Sequence, residues 1–413
     1  MKTPIHWLNR SLILALLTTV PASAETYTWT GAASSEWNDP ANWNPSTGVP
    51  GAADTAIVSS GSPSMAGDVS VARLEFSGGT LTGAGTLTVT NALVWNGAST
   101  MLGGGTTVIG PGAIATLSGD GDRGLNTRTL INRGTLRQPG PCRLTLYNDC
   151  RVENQAGALV DWQGDVSWDY TGGNACSVTN AGTFRKSGGT GVSRISGLVP
   201  NTAGRVEAQV GLIDFPNGVV ATGTFEAAEG AVIRFQSACT LTDVTLSGPG
   251  EQRFENGTYL VVGTVNAQNL LLVSGTWQGT NTLSGLLTWA GGNVYGPGTT
   301  TISPPSTLRL VGTGDRNLNT RTLINQGTIE HTGTCRLTFY NAVRVENQAG
   351  GLVDLPGDVL WDYTGGNACS VLNAGTFRKS AGPGTCTLQG LTFDNTGTLG
   401  PGRVSSTSRP PPA

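Results

Sequence analysis

Histidine, charge and helix-forming runs are all scarce in this chain, and each scarcity removes a class of function. The 413 residues include two histidines. His6 lies in an apolar leader, so His331 stands alone in the rest of the chain, and a Ser-His-Asp triad or His-rich metal centre has almost no raw material. A lone histidine is expected at the surface. Charged residues make up only 12% of the chain, 24 basic against 27 acidic. Setting aside Lys2 and Arg10 of the leader leaves 22 against 27, a net of −5. Without a basic stripe, nucleic acid is not an expected partner. No apolar run approaches the roughly 20 residues a membrane-crossing helix needs. Runs of Ala, Glu, Lys and Leu are missing too, while Thr, Val, Asn and 61 glycines abound. That composition favours strands and tight turns.

The N-terminus reads as an export signal over residues 1–24. "SLILALLTTV" is a short apolar run between basic ends, and "ASA" at Ala22–Ala24 is a small-residue cleavage site. The expected location is therefore extracellular or on the cell surface.

The chain repeats itself. Residues 122–187 align without a gap on 315–380, an offset of 193, with 51 of 66 positions identical. "WDYTGGNACSV" recurs unchanged at Trp168–Val178 and Trp361–Val371, whereas His331 replaces Gln138. Weaker similarity extends the duplicated units to about 93–195 and 286–388. Within each copy an Asn followed closely by Gly recurs, at Asn132, Asn154 and Asn180, then at Asn325, Asn347, Asn373 and Asn395. The intervals are 22 and 26, then 22, 26 and 22, and the residue two before each Asn is apolar. A short strand, an Asn-Gly corner and another short strand cannot bury an apolar face alone, but stacked units bury one another. The reading is an all-β parallel β-helix of about 15 coils and about 70 Å, spanning residues 61–400. Asn suits the corners because its side chain can bond backbone in a neighbouring coil and tolerates left-handed φ. A β-sandwich array would need about 100 residues per period. "PGRVSSTSRPPPA" at 401–413 fits no coil and is expected to be a disordered tail.

The "TLTGAGTLTVTNALVWNG" style, the "NxGT" corners, "NAGTFRKSGGTG" and the opening "YTWTGAASSEWNDPANWNP" resemble repeats of large exported bacterial surface proteins. These are similar to autotransporter passengers and haemagglutinin-type adhesins. The resemblance covers most of residues 25–400 and implies a right-handed β-helix and a surface location. It carries over no catalytic residue and no cofactor.

Candidate sites follow from the same residues. Trp29, Trp37 and Trp43, with Asn42 and Asp54, form either a sugar-stacking platform or, the preferred reading, a cap over the first coil within residues 25–60. In "DWQGDVSWDY", extended backbone places Val166, Trp168 and Tyr170 on one face and Asp165 and Asp169 on the other. Those two acids would stand about 13 Å apart, outside the roughly 5–9.5 Å of glycosidase pairs. Asp169 and Asp362, with Trp37 and Trp43, are the ligand-contact candidates. At about 24 residues per coil, 193 residues make eight coils, which puts the two Trp-Asp-Tyr copies on one side of the rod, about 38 Å apart. Asp120 and Asp122 invite a calcium reading, but the second copy has Thr313 for Asp120, so a self-bonded turn is expected and no metal site. "NGT" at Asn256–Thr258 is read as one more corner. Cys150 and Cys176 each lie four residues before a corner Asn, so they should stack in neighbouring coils, where a disulfide is geometrically allowed. Val343 and Cys369 should repeat the arrangement, facing inward.

Together these features point to a non-enzymatic, monomeric surface protein, an adhesin or spacer contacting carbohydrate or neighbouring cells. The alternatives are a β-helical polysaccharide lyase or hydrolase whose carboxylates meet across coils, and a passenger fragment without its own activity.

Overall fold

The computed structural model describes residues 24–407. All of the proposed leader except Ala24, and residues 408–413, lie outside the described residues. The chain winds as a parallel β-solenoid of about 17 turns, slightly more than the 15 expected. Among the described residues the one helical element is the single turn Pro40–Asn42. Every ladder is parallel except that between Thr26–Trp29 and Trp43–Asn44 in the N-terminal cap.

One turn consists of three short strands. Arg123–Asn126, Thr129–Asn132 and Thr135–Gln138 form one coil, and Arg143–Tyr147, Arg151–Asn154 and Leu159–Trp162 stack on them as the next. Strand alternation sets which side chains point inward. In Thr129–Asn132, Leu130 and Asn132 are buried while Thr129 and Ile131 are half-exposed. Where a Gly lies two residues past the corner Asn, close approach requires it: a Cβ on Gly182 would collide with the carbonyl of Ala158 in the previous rung. The corner asparagines themselves are extended. The left-handed positions are at another corner, at Thr127, Asn148 and Asp149 (φ 56°, 49° and 53°). The expected tolerance of left-handed φ is therefore not what selects Asn at these positions. The end of the chain also differs from expectation. Arg403–Thr407 is a strand stacked in parallel on Thr385–Gln389, with Val404 over Cys386, so the solenoid runs past residue 400.

The two sequence copies do not lie on one side of the rod. The column of Trp168 runs to Ile195, then Phe215, Phe235 and Phe254, then Leu272 and Trp289. It continues to Leu310, His331 and Leu355. That is nine rungs, and it ends on the third strand of the second copy's coil. Trp361 lies one strand further along, over Leu337 and Arg316. The copies are thus nine turns and one face apart, roughly 45 Å along the axis. The expected eight turns fail because the connecting coils are short. Along one column Thr240, Leu260 and Gln278 are 20 and 18 residues apart (260 − 240 and 278 − 260).

Candidate functional site

The corner asparagines form two buried ladders. Asn132 Nδ2 donates to Asn154 Oδ1 at 2.8 Å, Asn154 to Asn180 at 2.8 Å, and Asn180 to Thr202 Oγ1 at 2.9 Å. In the second copy the steps Asn325–Asn347, Asn347–Asn373 and Asn373–Asn395 measure 2.7, 2.6 and 2.6 Å. Each amide but the terminal Asn395 also bonds a backbone carbonyl of the next coil, as Asn347 does to Thr376 O at 3.0 Å. Amides buried this deeply persist because donors and acceptors pair along the column. The ladder is architecture: its amides are committed to one another.

The Trp-Asp-Tyr stretch divides as alternation requires. Trp168 and Trp361 are fully buried, and Val166 lies inward beside the first. Asp165 is exposed and pairs with the buried Lys186 at 2.7 Å. Asp169 points outward yet is only 7% exposed, because its neighbours cover it. It accepts from Arg143 Nε at 2.5 Å, from Ser167 Oγ at 2.8 Å and from Ser196 Oγ. Burial pushes this carboxyl up, but the bonds from Ser196, Ser167 and Arg143 outweigh it and hold it below the ordinary carboxylate range. Asp362 pairs with Arg336 at 3.1 Å, and Arg336 also holds Asp315 at 2.7 Å. Both candidate acids are thus engaged within the protein.

Trp37 and Trp43 present no platform. They are 0% and 2% exposed, with ring centroids 4.7 Å apart, and Trp29 lies 5.0 Å from Trp43. Trp43 Nε1 donates to Trp37 O at 2.7 Å. Buried Asn42 accepts from the backbone of Ala33 and Ser34, and Asp54 accepts from Glu25 N and Gly51 N. A sugar ring needs an open aromatic face, and these faces are occupied by each other; this is the cap over the first coil.

His331 is a correction: it is completely buried. It ends the strand Thr328–His331 on an inward position over Leu310. Its Nδ1 accepts from Trp361 Nε1 at 3.1 Å, so in the neutral ring Nε2 carries the proton toward Cys335 Sγ, 3.0 Å away. In the first copy Gln138 Oε1 takes the Trp168 indole N–H at 2.9 Å. The Gln-to-His exchange therefore keeps an acceptor under an invariant tryptophan. Burial, with Arg316 nearby, lowers the His331 pKa to about 4.

Cys150 and Cys176 are register neighbours, since Arg151 pairs with Ser177, and their sulfurs lie 2.9 Å apart as free thiols. Cys150 is buried and Cys176 half-buried, whereas Val343 and Cys369 in the second copy are both buried. Asp120 is exposed, and Asp122 lies 3.6 Å from Arg143. Among the described residues no group of three or more His, Cys, Asp or Glu is placed to hold a metal ion. Asn256 is a left-handed corner (φ 57°) whose side chain accepts from Ser274 Oγ at 3.0 Å.

Comparison with family models, with curated proteins and with solved structures finds no match.

Two features escaped the sequence. Arg128 and Arg321 are buried inside the solenoid. Arg128 donates to Thr107 Oγ1 at 2.9 Å and to Thr106 O at 3.0 Å, and burial lowers its pKa to about 10, so it stays charged. Only their repetition at the offset of 193 could have flagged them. The second feature is a pair of acids in adjacent rungs, Glu207 over Glu226, bridged by Arg205 beside a shallow groove of about 180 Å³. These glutamates lie outside the duplicated stretch, in a region with no pattern to mark them.

Proposed function

We propose that this chain is a rigid, exported surface rod that acts as a spacer or adhesin, contacting carbohydrate or neighbouring cells through its outer faces. One observation carries the reading: the polar groups singled out by repetition serve the stack. The asparagines bond along the axis, the tryptophans fill the core, and Asp169 and Asp362 are held by arginines. Asp169, held below the ordinary carboxylate range, is a poor general acid at neutral pH. Seventeen turns at about 4.8 Å give a rod of roughly 80 Å, a length suited to holding a contact away from its origin. The resemblance of the coil sequences to exported adhesin-type repeats supports the same location.

The adjacent Glu207 and Glu226 favour a second reading, a lyase or hydrolase with carboxylates meeting across coils. Incubating the purified protein with a panel of polysaccharides, alongside binding to cells and polymers, tests both. Binding without turnover is expected. Turnover lost in Glu207→Gln or Glu226→Gln would replace the spacer reading with the enzymatic one.

A further inference from the structure

Large apolar side chains are exposed at a regular spacing along one column of the rod. Val220 is 41% exposed, Leu260 41%, Tyr295 47% and Tyr340 41%. The ladder registers place them in a single line: Val220, Thr240, Leu260 and Gln278, then Tyr295, Asn319 and Tyr340. Every second rung carries the apolar group, and the rungs between carry Thr240, Gln278 and Asn319. Two rungs are about 9.6 Å, and the line from Val220 to Tyr340 covers six, or about 29 Å.

The strands that carry this line are uncharged, and the charges that flank it are Asp243 at a corner and Arg336, paired with Asp315 and Asp362, beside the Tyr340 end. Strand segments 238–242, 258–262, 276–280, 293–295 and 317–320 contain no Asp, Glu, Lys or Arg. The adjacent outward column is Thr258, Thr276, Asn293, Asn317 and Thr338. The face built on Leu212–Phe215 and segment 232–235 is different, carrying Asp214, Arg234 and Glu255 in ion pairs on its outer side. The tyrosine at the end is also built to lie flat. A Cβ on Gly365, the next rung, would meet Tyr340 Cε2 at 2.9 Å, so glycine there makes room for the ring.

We propose that this stripe binds an uncharged, extended β-1,4-linked polysaccharide running parallel to the rod axis. In such a chain successive sugar rings are turned over, so the same ring face recurs once per disaccharide, close to the length of two rungs. Leu260, Tyr295 and Tyr340 would each meet one such face, and Gln278 and Asn319 would meet the hydroxyls between them. The absence of cations on the stripe argues against a polyanionic glycan or an anionic membrane. The inference rests on the surface-contact reading and gives it a ligand class and an address.

Titrating the full chain with cellohexaose and chitohexaose, with the disaccharides and with polygalacturonate, tests it. A hexasaccharide should bind at least about tenfold more tightly than its disaccharide, because it engages several platforms. Tyr295→Ala and Tyr340→Ala should each weaken binding by about tenfold with an unchanged melting temperature. Tyr147→Ala, off this stripe, should change nothing. Hexasaccharide binding that survives Tyr295→Ala/Tyr340→Ala would overturn the stripe. Binding to polygalacturonate or cells without any to the neutral oligosaccharides would overturn the stripe and leave the surface-contact reading standing. Binding to none of these would sink both.

Discussion

Replacing Asn347 by alanine removes the middle of the second ladder, and the structure fixes what is lost. Asn325 Nδ2 loses its acceptor at 2.7 Å, Asn373 Oδ1 its donor at 2.6 Å, and Thr376 O its donor at 3.0 Å. All three asparagines are at most 2% exposed, so water cannot substitute. Each lost bond to a buried group costs at least about 1 kcal/mol, which sums to about 3 kcal/mol before any void is counted. Asn395 provides the internal comparison. It ends the same ladder, is exposed, and makes one ladder bond, so Asn395→Ala should cost about 1 kcal/mol or less. A solenoid can lose a segment without unfolding throughout. The assay is therefore urea denaturation paired with hydrogen exchange of the rungs around residues 325, 347 and 373. Equal costs for Asn347→Ala and Asn395→Ala, or no local loss of protection in the former, would refute the ladder as a source of stability.

Other outcomes follow from individual side chains. His331 has a folded pKa near 4 against 6.5 unfolded, so the unfolded chain takes up the proton first as pH falls. Stability should be full above pH 6.5 and decline by up to about 3 kcal/mol on acidification to pH 4, and His331→Gln, copying Gln138, should flatten that pH dependence. Trp361→Ala should cost about 3–5 kcal/mol, whereas Asp362→Ala should cost about 1 kcal/mol, because the Arg336 it leaves is half-exposed and keeps Asp315; thermal melts compare them, and equal losses would contradict the inward-versus-outward assignment. Under a disulfide oxidant, Cys150 and Cys176 should lose two hydrogens in forming a bridge, found by peptide mapping. Persistence of all seven thiols would show that the pair is held apart.

Local architecture was legible in the sequence because repetition exposes it. The Asn intervals located the ladder residues, and apolar alternation placed Trp168, Trp361, Val343 and Cys369 inward. Global winding was not legible. Residues 203–290 carry Asn-Gly at 217–218 and 256–257 but not at the 22- and 26-residue intervals of the repeats, and they wind in shorter coils, so extrapolating from the repeats misplaced the second copy by more than one turn. Position within a strand, rather than residue type, put His331 in the core. The outward stripe was invisible for a related reason: Leu260, Tyr295 and Tyr340 are unevenly spaced in sequence and meet only through register.

That register is the centre of the account, since both the turn of the second copy and the stripe depend on it. The 17-residue coil between Gln278 and Tyr295 (295 − 278) is its most compressed step. The direct test is a cross-link between outward cysteines in two double variants, Gln278→Cys/Tyr295→Cys and Leu271→Cys/Tyr295→Cys, oxidised and mapped by peptide mass. Stacked Cα atoms about 4.8 Å apart are within disulfide reach. The structure predicts a bridge joining positions 278 and 295 and none joining 271 and 295. A bridge between 271 and 295 would mean a coil of 24 residues there, which would contradict both the offset of the copies and the stripe.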